Sequence, residues 1–219
     1  MFTINKKIEK YKICDILYTD FASEEVVLLY KQCRTEQSAS RQRQLMEGLL
    51  EAMLQQHYDE ITVSSLCDQM QVPRKSFYRY FSSKEGALHA LIDHALLDFE
   101  SFTTERSHRT ASVQEEMEQC FAYWLHKKKL LDALAKSGLS GVLVNRAIGH
   151  SVFEAMSGRR FLPVEEQQAQ EYITLFFVSG FMSVVIQWHH EGYPQSVQQM
   201  AQIAIRLVSQ PLAPGLYSK

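Results

Sequence analysis

The chain is predicted to be all-α, with an N-terminal three-helix helix-turn-helix domain joined by a long helix to a second helical domain. Three observations carry this. Apolar residues recur at helical spacing along most of the sequence. Residues 62–88, TVSSLCDQMQVPRKSFYRYFSSKEGAL, hold two short helical patterns separated by a breaker. Only 5 prolines and 9 glycines interrupt 219 residues, of which 46% are hydrophobic, as a compact helical protein requires.

The first core-facing helix is marked by Met46, Leu49, Leu50, Met53 and Leu54, one apolar stripe ending before Tyr58-Asp59-Glu60. Thr62 is suited to cap the next helix, whose stripe Val63, Leu66, Cys67 and Met70 lasts barely two turns. Gln71-Val72-Pro73 breaks it, and Pro73 fits the first position of a third helix. There Phe77 and Phe81, four apart, should point into a small core, leaving Arg74, Lys75, Ser76, Tyr78 and Arg79 outside. That outer side is the one able to enter a major groove. Ser82 or Ser83 should cap a fourth helix starting near Lys84, whose stripe Leu88, Leu91, Ile92, Ala95, Leu96, Phe99 and Phe102 is long enough to leave the small domain.

Residues 107–114 are polar and read as a connection, after which Glu115 to Leu131 resumes helical spacing with Phe121, Trp124 and Leu125. One helix is expected between loops near SGLSG and SGRRFLP. Pro163 with Glu165 and Glu166 suits the start of a long eighth helix, closed by Gly192, and Pro194 is expected to start the ninth. The resulting divisions are residues 1–40 as an N-terminal extension, 41–88 as the helix-turn-helix domain and 89–219 as the second domain. In the extension, SEEVVLLYKQC suits a short helix or a strand, and Lys6, Lys7, Lys10 and Lys12 suit either a basic arm or a segment packed on its own domain.

Net charge is -2 and the pI about 6.4, which excludes generic polycationic binding to nucleic acid. Residues 41–100 carry six Lys/Arg against nine Asp/Glu. Between Pro73 and Lys84, however, there are four cations, Arg74, Lys75, Arg79 and Lys84, and no acid. Such a patch pairs with phosphates locally while the rest of the surface repels them, favouring a sequence-selective binder. Cys14, Cys33, Cys67 and Cys120 lack metal-site spacing, so reduced thiols and no metal are expected. The N-terminus has no apolar signal core, which points to the cytoplasm. Tyr172 to Trp188 has no charged side chain, but Ser179, Ser183 and Gln187 recur every fourth position opposite Ile173, Phe176, Phe177, Gly180, Phe181, Val184 and Trp188. An amphipathic helix is expected there, not a membrane span. No nucleophile elbow, zinc-protease motif or phosphate-cradling glycine loop is present, so no enzyme is expected.

The last helix carries Val197, Met200, Ala201, Ala204 and Val208, widened by Ile203 and Leu207. The eighth and ninth helices thus have more apolar width than one thin domain covers. A homodimer through a four-helix bundle would bury it, with Phe181, Val184, Val185, Trp188, Met200, Ile203 and Leu207 at the seam. Its two-fold axis would space two reading heads by a turn of DNA or a multiple, hence a palindromic operator.

The run VPRKSFYRYFSSKEGAL resembles the tetracycline-repressor (TetR) family of bacterial transcription regulators. The resemblance covers residues 41–102 well, and GFMSVVIQWHHEGYPQSVQQMA resembles the last two helices of many members. It implies that Thr62 lies near a phosphate, that Pro73, Arg74, Lys75 and Ser76 meet base edges, and that Tyr78, Tyr80 and Lys84 touch the DNA backbone. Gln71 stands where the family most often has glycine, and Lys75 where it often has glycine or a small residue. The resemblance further implies a ligand-binding and dimerising second domain, with a cavity whose filling tilts the fourth helix. Its candidate walls are Phe121, Trp124, Leu125, Phe153, Met156, Phe176 and Phe177, which suit an apolar or flat small-molecule effector. No cofactor is expected. The expected function is a repressor on double-stranded DNA, released by that effector; a helical adaptor without DNA binding is the alternative, though it leaves the cationic turn unexplained.

Overall fold

The computed structural model describes residues 29–107, 112–157 and 164–209. Expectations for the arm at 1–28, the connection at 108–111, the loop at 158–163 and the last ten residues fall outside the described residues.

Helix α1 spans Glu36–Gln55 and begins inside the stretch set apart as an extension, because Thr35 caps it by accepting a hydrogen bond from the Ser38 amide at 3.3 Å. Its stripe Leu45, Met46, Leu49, Ala52 and Met53 is buried. A 3-10 turn at Tyr58–Glu60 leads to α2, Val63–Gln69. Helix α3 is Arg74–Tyr78 and α4 is Lys84–Ser107. The Ser83 hydroxyl caps α4, accepting from the Gly86 amide at 3.1 Å.

The second domain contains α5, Val113–His126; α6, Lys128–Lys136; α7, Ser140–Ser157; α8, Val164–His190; and α9, Val197–Ser209. The single helix expected from Glu115 to Leu131 is two. The chain breaks at Lys127 (ψ 18°), and the new direction lets Leu130, Leu131, Ala133 and Leu134 bury, with α6 packed on α1. Helix α9 starts three residues after Pro194 because Ser196 caps it: its hydroxyl accepts from the Gln199 amide at 3.2 Å, and Gln199 Oε1 accepts from the Ser196 amide at 2.8 Å.

Helices α7 and α8 pack together, α9 lies on α5, and α4 packs on α1, α5 and α7. One core therefore runs from the head into the second domain. Its centre is aromatic: Phe121 meets Phe181 at 5.2 Å and Trp188 edge-on at 5.6 Å, while Phe99 lies 5.7 Å from Trp124. The head is also tied to α6, since Ser137 Oγ accepts from the Tyr58 amide at 2.9 Å and Lys136 donates to the Leu54 carbonyl at 2.8 Å.

The amphipathic reading of α8 holds for only half its length. Met182, Val185 and Trp188 are buried. Toward the N-terminal half, Phe176 and Gly180 share an exposed face with Ser179 and Ser183 instead of opposing them, and Tyr172 and Phe176 are each 73% exposed. Tyr172–His190 is long and apolar enough, by length and composition alone, to cross a membrane. Within a single chain nothing described covers that face.

A charged cluster lies between the domains. Asp93 on α4 has no solvent exposure and is paired through both carboxylate oxygens with the guanidinium of Arg146 on α7. His150 Nε2 lies 3.1 Å from Asp93 Oδ1, and the Tyr30 hydroxyl donates to Oδ2 at 2.7 Å. Burial alone would raise the carboxyl's pKa; hydrogen bonds from His150 and Arg146 and the guanidinium charge outweigh it and hold the group below its ordinary value. Arg146 Nη1 is 3.2 Å from His89 Nδ1, and burial followed by the guanidinium charge lowers the pKa of that histidine. Because Arg146 can only donate, Nδ1 is the acceptor and Nε2 carries the proton facing Glu85.

Asp93→Asn should therefore cost about 3–5 kcal/mol at neutral pH, because Arg146 is left buried without its counter-charge. A depressed folded-state pKa stabilises fully above the unfolded value and loses that contribution as pH falls through the folded one. Urea titrations should show the gap between wild type and variant closing below about pH 4; a gap independent of pH would contradict an ionised Asp93.

Candidate nucleic-acid interface

Local sequence builds the head in three steps. Thr62 and Ser65 form a reciprocal cap, with Thr62 Oγ1 accepting from the Ser65 amide at 3.0 Å and Ser65 Oγ accepting from the Thr62 amide at 3.1 Å. At its other end α2 closes in a Schellman turn: the Val72 amide donates to the Cys67 carbonyl at 2.9 Å and the Gln71 amide to Asp68 at 3.1 Å. This places Gln71 at φ 53°, a left-handed conformation that ordinarily calls for glycine. Pro73 (φ -62°, ψ 139°) then precedes α3 as its N-cap, one position before the helical start expected for it.

Helix α3 has five residues, too few to persist alone, so tertiary burial must hold it. Phe77 supplies it. Its ring is fully buried 5.1 Å from Phe81, as their spacing predicts. With Phe77 turned inward, Pro73, Arg74, Lys75, Tyr78 and Arg79 are exposed and Ser76 half-exposed. Among the described residues, no salt bridge to Arg74, Lys75 or Arg79 is present. Three unengaged cations on one turn can pair with phosphates or base edges, and Tyr78, braced edge-on against Phe77 at 5.7 Å, stands beside them. Thr62 is exposed at the start of α2.

Two of the sequence-derived contacts are placed otherwise. Tyr80 is only 6% exposed, and its carbonyl accepts from the Lys31 amide at 2.7 Å. Lys84 donates to the carbonyls of Tyr58 and Ile61, each at 2.7 Å, and lies 4.1 Å from the centre of the Tyr58 ring. Its ammonium thus fastens the 3-10 turn to α4, and burial lowers its pKa despite Asp59. An outward role for either needs a rearrangement in the complex.

The suggested pocket walls do not form one surface. Phe121 and Trp124 are fully buried with Phe99 and Phe181, whereas Leu125, Phe176 and Phe177 are exposed; the side chains of Phe153 and Met156 fall outside the described residues. Of the proposed seam, Val185, Trp188 and Met200 are buried within the chain, Phe181 and Val184 are half-buried, and Ile203 and Leu207 are exposed. Tyr30, Asp93 and Arg146 were not singled out by sequence, and no local pattern could have found their cluster, since Asp93 meets partners 53, 57 and 63 positions away. Among the described residues no group of three His, Cys, Asp or Glu is placed to hold a metal ion.

A buried aromatic root beneath an exposed cationic turn, mounted on a helix that enters a second helical domain, defines a helix-turn-helix transcription regulator. Comparison with known proteins agrees. Residues 45–91 match the model of bacterial regulatory proteins of the tetR family, and residues 112–210 match that of a TetR transcriptional regulator C-terminal region. The chain belongs to the TetR family, whose members are transcription regulators and not enzymes. No curated protein sequence matches it.

Solved structures similar to it include a transcriptional regulator of the TerR/AcrR family from Aquifex aeolicus VF5, with TM-score 0.52 and 14% identity over 77% of this chain and 99% of that one. The fatty acid degradation regulator FadR from Bacillus halodurans gives 0.51 and 14%, over 78% and 96%. FadR from Bacillus subtilis, in complex with stearoyl-CoA, gives 0.50 and 16%, over 78% and 99%. At such identities the likeness is one of fold.

Because Gln71 occupies a left-handed position, Gln71→Gly should stabilise the protein by up to about 1 kcal/mol, strain relief being partly offset by added freedom in the unfolded chain. Chemical denaturation decides this; a loss of stability would mean the side chain makes contacts that outweigh the backbone strain.

Proposed function

We propose that this protein is a ligand-responsive repressor that binds a palindromic operator as a homodimer and is released by a small organic effector. The observation that carries the reading is the exposed trio Arg74, Lys75 and Arg79 above buried Phe77. Supporting the dimer, Tyr172, Phe176, Ile203 and Leu207 are large apolar side chains exposed on the last two helices, and a patch of this kind on a lone chain marks an association surface. A second copy is the occupant that also supplies the second reading head. The operator confines its action to the cytoplasm.

The interior of the second domain supports one effector class over others. Phe121 and Trp124 lie in an aromatic core, and the Trp124 indole N–H is buried without an acceptor among the described residues. An apolar molecule carrying one hydrogen-bond acceptor would complement both features. Stearoyl-CoA in the Bacillus subtilis relative is a molecule with a long apolar portion; an acyl effector is the first class to test here.

Lys75→Glu should weaken operator binding about a hundredfold or more while leaving the dimer intact. Affinity of the wild type should fall about a thousandfold between roughly 50 and 200 mM salt, as many phosphate contacts imply. Fluorescence anisotropy on a duplex recovered by selection from randomised DNA reads both; an unchanged Lys75→Glu affinity or a flat salt response rejects the reading.

Phe176→Glu combined with Leu207→Glu should shift the protein to monomer in sedimentation velocity and reduce operator affinity with it. A dimer that survives both charges would move the seam elsewhere.

A further inference from the structure

Residues 29–31 lie as a strap across the junction of α3 and α4. Leu29 O accepts from the Ser82 amide at 3.0 Å and from Ser82 Oγ at 2.9 Å, the Lys31 amide donates to Tyr80 O at 2.7 Å, and Gln42 on α1 donates to Lys31 O at 2.7 Å. Tyr30 and Phe81 form an isolated antiparallel bridge. The approach is close: a Cβ on Gly86 would lie 2.0 Å from the Leu29 carbonyl oxygen, so only glycine allows the strap to seat there. From this strap the Tyr30 side chain, itself buried, reaches Asp93, nine residues or about 13 Å along α4 from Lys84.

Asp93 therefore joins three segments: the strap through Tyr30, α4 by its own backbone, and α7 through Arg146 and His150. We propose that this buried carboxylate is a latch through which α7, by Arg146, holds the strap and hence the α3–α4 junction in the DNA-reading arrangement. Charge and burial make it abrupt, not elastic. A shift of α7 that withdraws the guanidinium leaves a fully buried carboxylate short of its strongest partner, which the cluster can answer only by rearranging. Tyr30, its acceptor displaced, then holds the strap less firmly, and the bracing of Tyr80 and Ser82, which follow the cationic turn, loosens. Asp93, Arg146 and Tyr30 are positioning residues; none lies on the outward face of α3.

The latch rests on the DNA-binding reading for its consequence but not for its mechanics, and the two fail separately. Amide hydrogen exchange on the full chain tests the mechanics without DNA. Arg146→Met should accelerate exchange of the Lys31 and Ser82 amides at least tenfold more than that of α1 core amides such as Leu49. Tyr30→Phe should do the same, and the two together should give no further acceleration, because both act through one carboxylate.

Should Arg146→Met fold poorly, Arg146→Met with Asp93→Leu removes both buried charges and restores packing; its strap amides should exchange as fast. Strap amides protected as in wild type in either variant, or single effects that multiply, overturn the latch. On the selected duplex, Arg146→Met with Asp93→Leu should bind at least tenfold more weakly while its affinity for unrelated duplex stays within twofold. A loosened strap with unaltered operator affinity overturns the link to the reading head. Wild type that binds no duplex overturns the DNA-binding reading and, with it, the latch's consequence, while the exchange data still decide its mechanics.

Discussion

Burial of Phe77 is the constraint on which the reading head depends. A helix of five residues has too few internal hydrogen bonds to offset the entropy of ordering it, so α3 exists because Phe77 and Phe81 are packed beneath it and because α2 ends in a Schellman turn that aims the chain into place. The same burial decides which side chains face out. With Phe77 inward, helical geometry turns Lys75 to the opposite side, and Arg74 at the first helical position and Tyr78 beside the ring are exposed as well. The exposure of the cationic turn thus follows in part from how an apolar ring is stored.

A head built this way must still be held to the rest of the molecule. Helix α4 does so twice, with an apolar stripe that joins the aromatic core around Phe99 and Phe121, and with Asp93, whose charge is neutralised by a residue of α7. The first contact tolerates small displacement, because dispersion is undirected. The second does not, because a buried carboxylate is satisfied only by donors at hydrogen-bond distance. A soft seam thus lies beside a stiff one along the same helix.

Much of this was legible in sequence. The stripes of α1, α2 and α4, the Thr62 cap, the break around Gln71 and the inward pair Phe77 and Phe81 all follow from local period and capping chemistry. The break at Lys127 was not, because apolar spacing continues smoothly through it and only contact with α1 decides that Leu130 and Leu134 turn another way. The outward face of α8 was misjudged for a related reason: Ser179 and Ser183 seemed to mark the wet side by composition, whereas Phe176 and Gly180 share that side in the single chain. In the site, Lys84 and Tyr80 look in sequence like any other cation and phenol beside a DNA-reading helix. Whether each is free or engaged depends on Tyr58, Ile61 and Lys31, tens of residues away.

By itself, then, the amino-acid order determined the helices of the head, the cationic turn and the family, since each is written in residues within a few positions of one another. Tertiary structure alone decided that Lys84 is held by backbone carbonyls, that Tyr30 lies across the α3–α4 junction, and that Asp93 and Arg146 share a buried site. Hydrogen-bonded pairs separated by more than fifty residues leave no periodic trace, because nothing but the folded path of the chain brings them within reach.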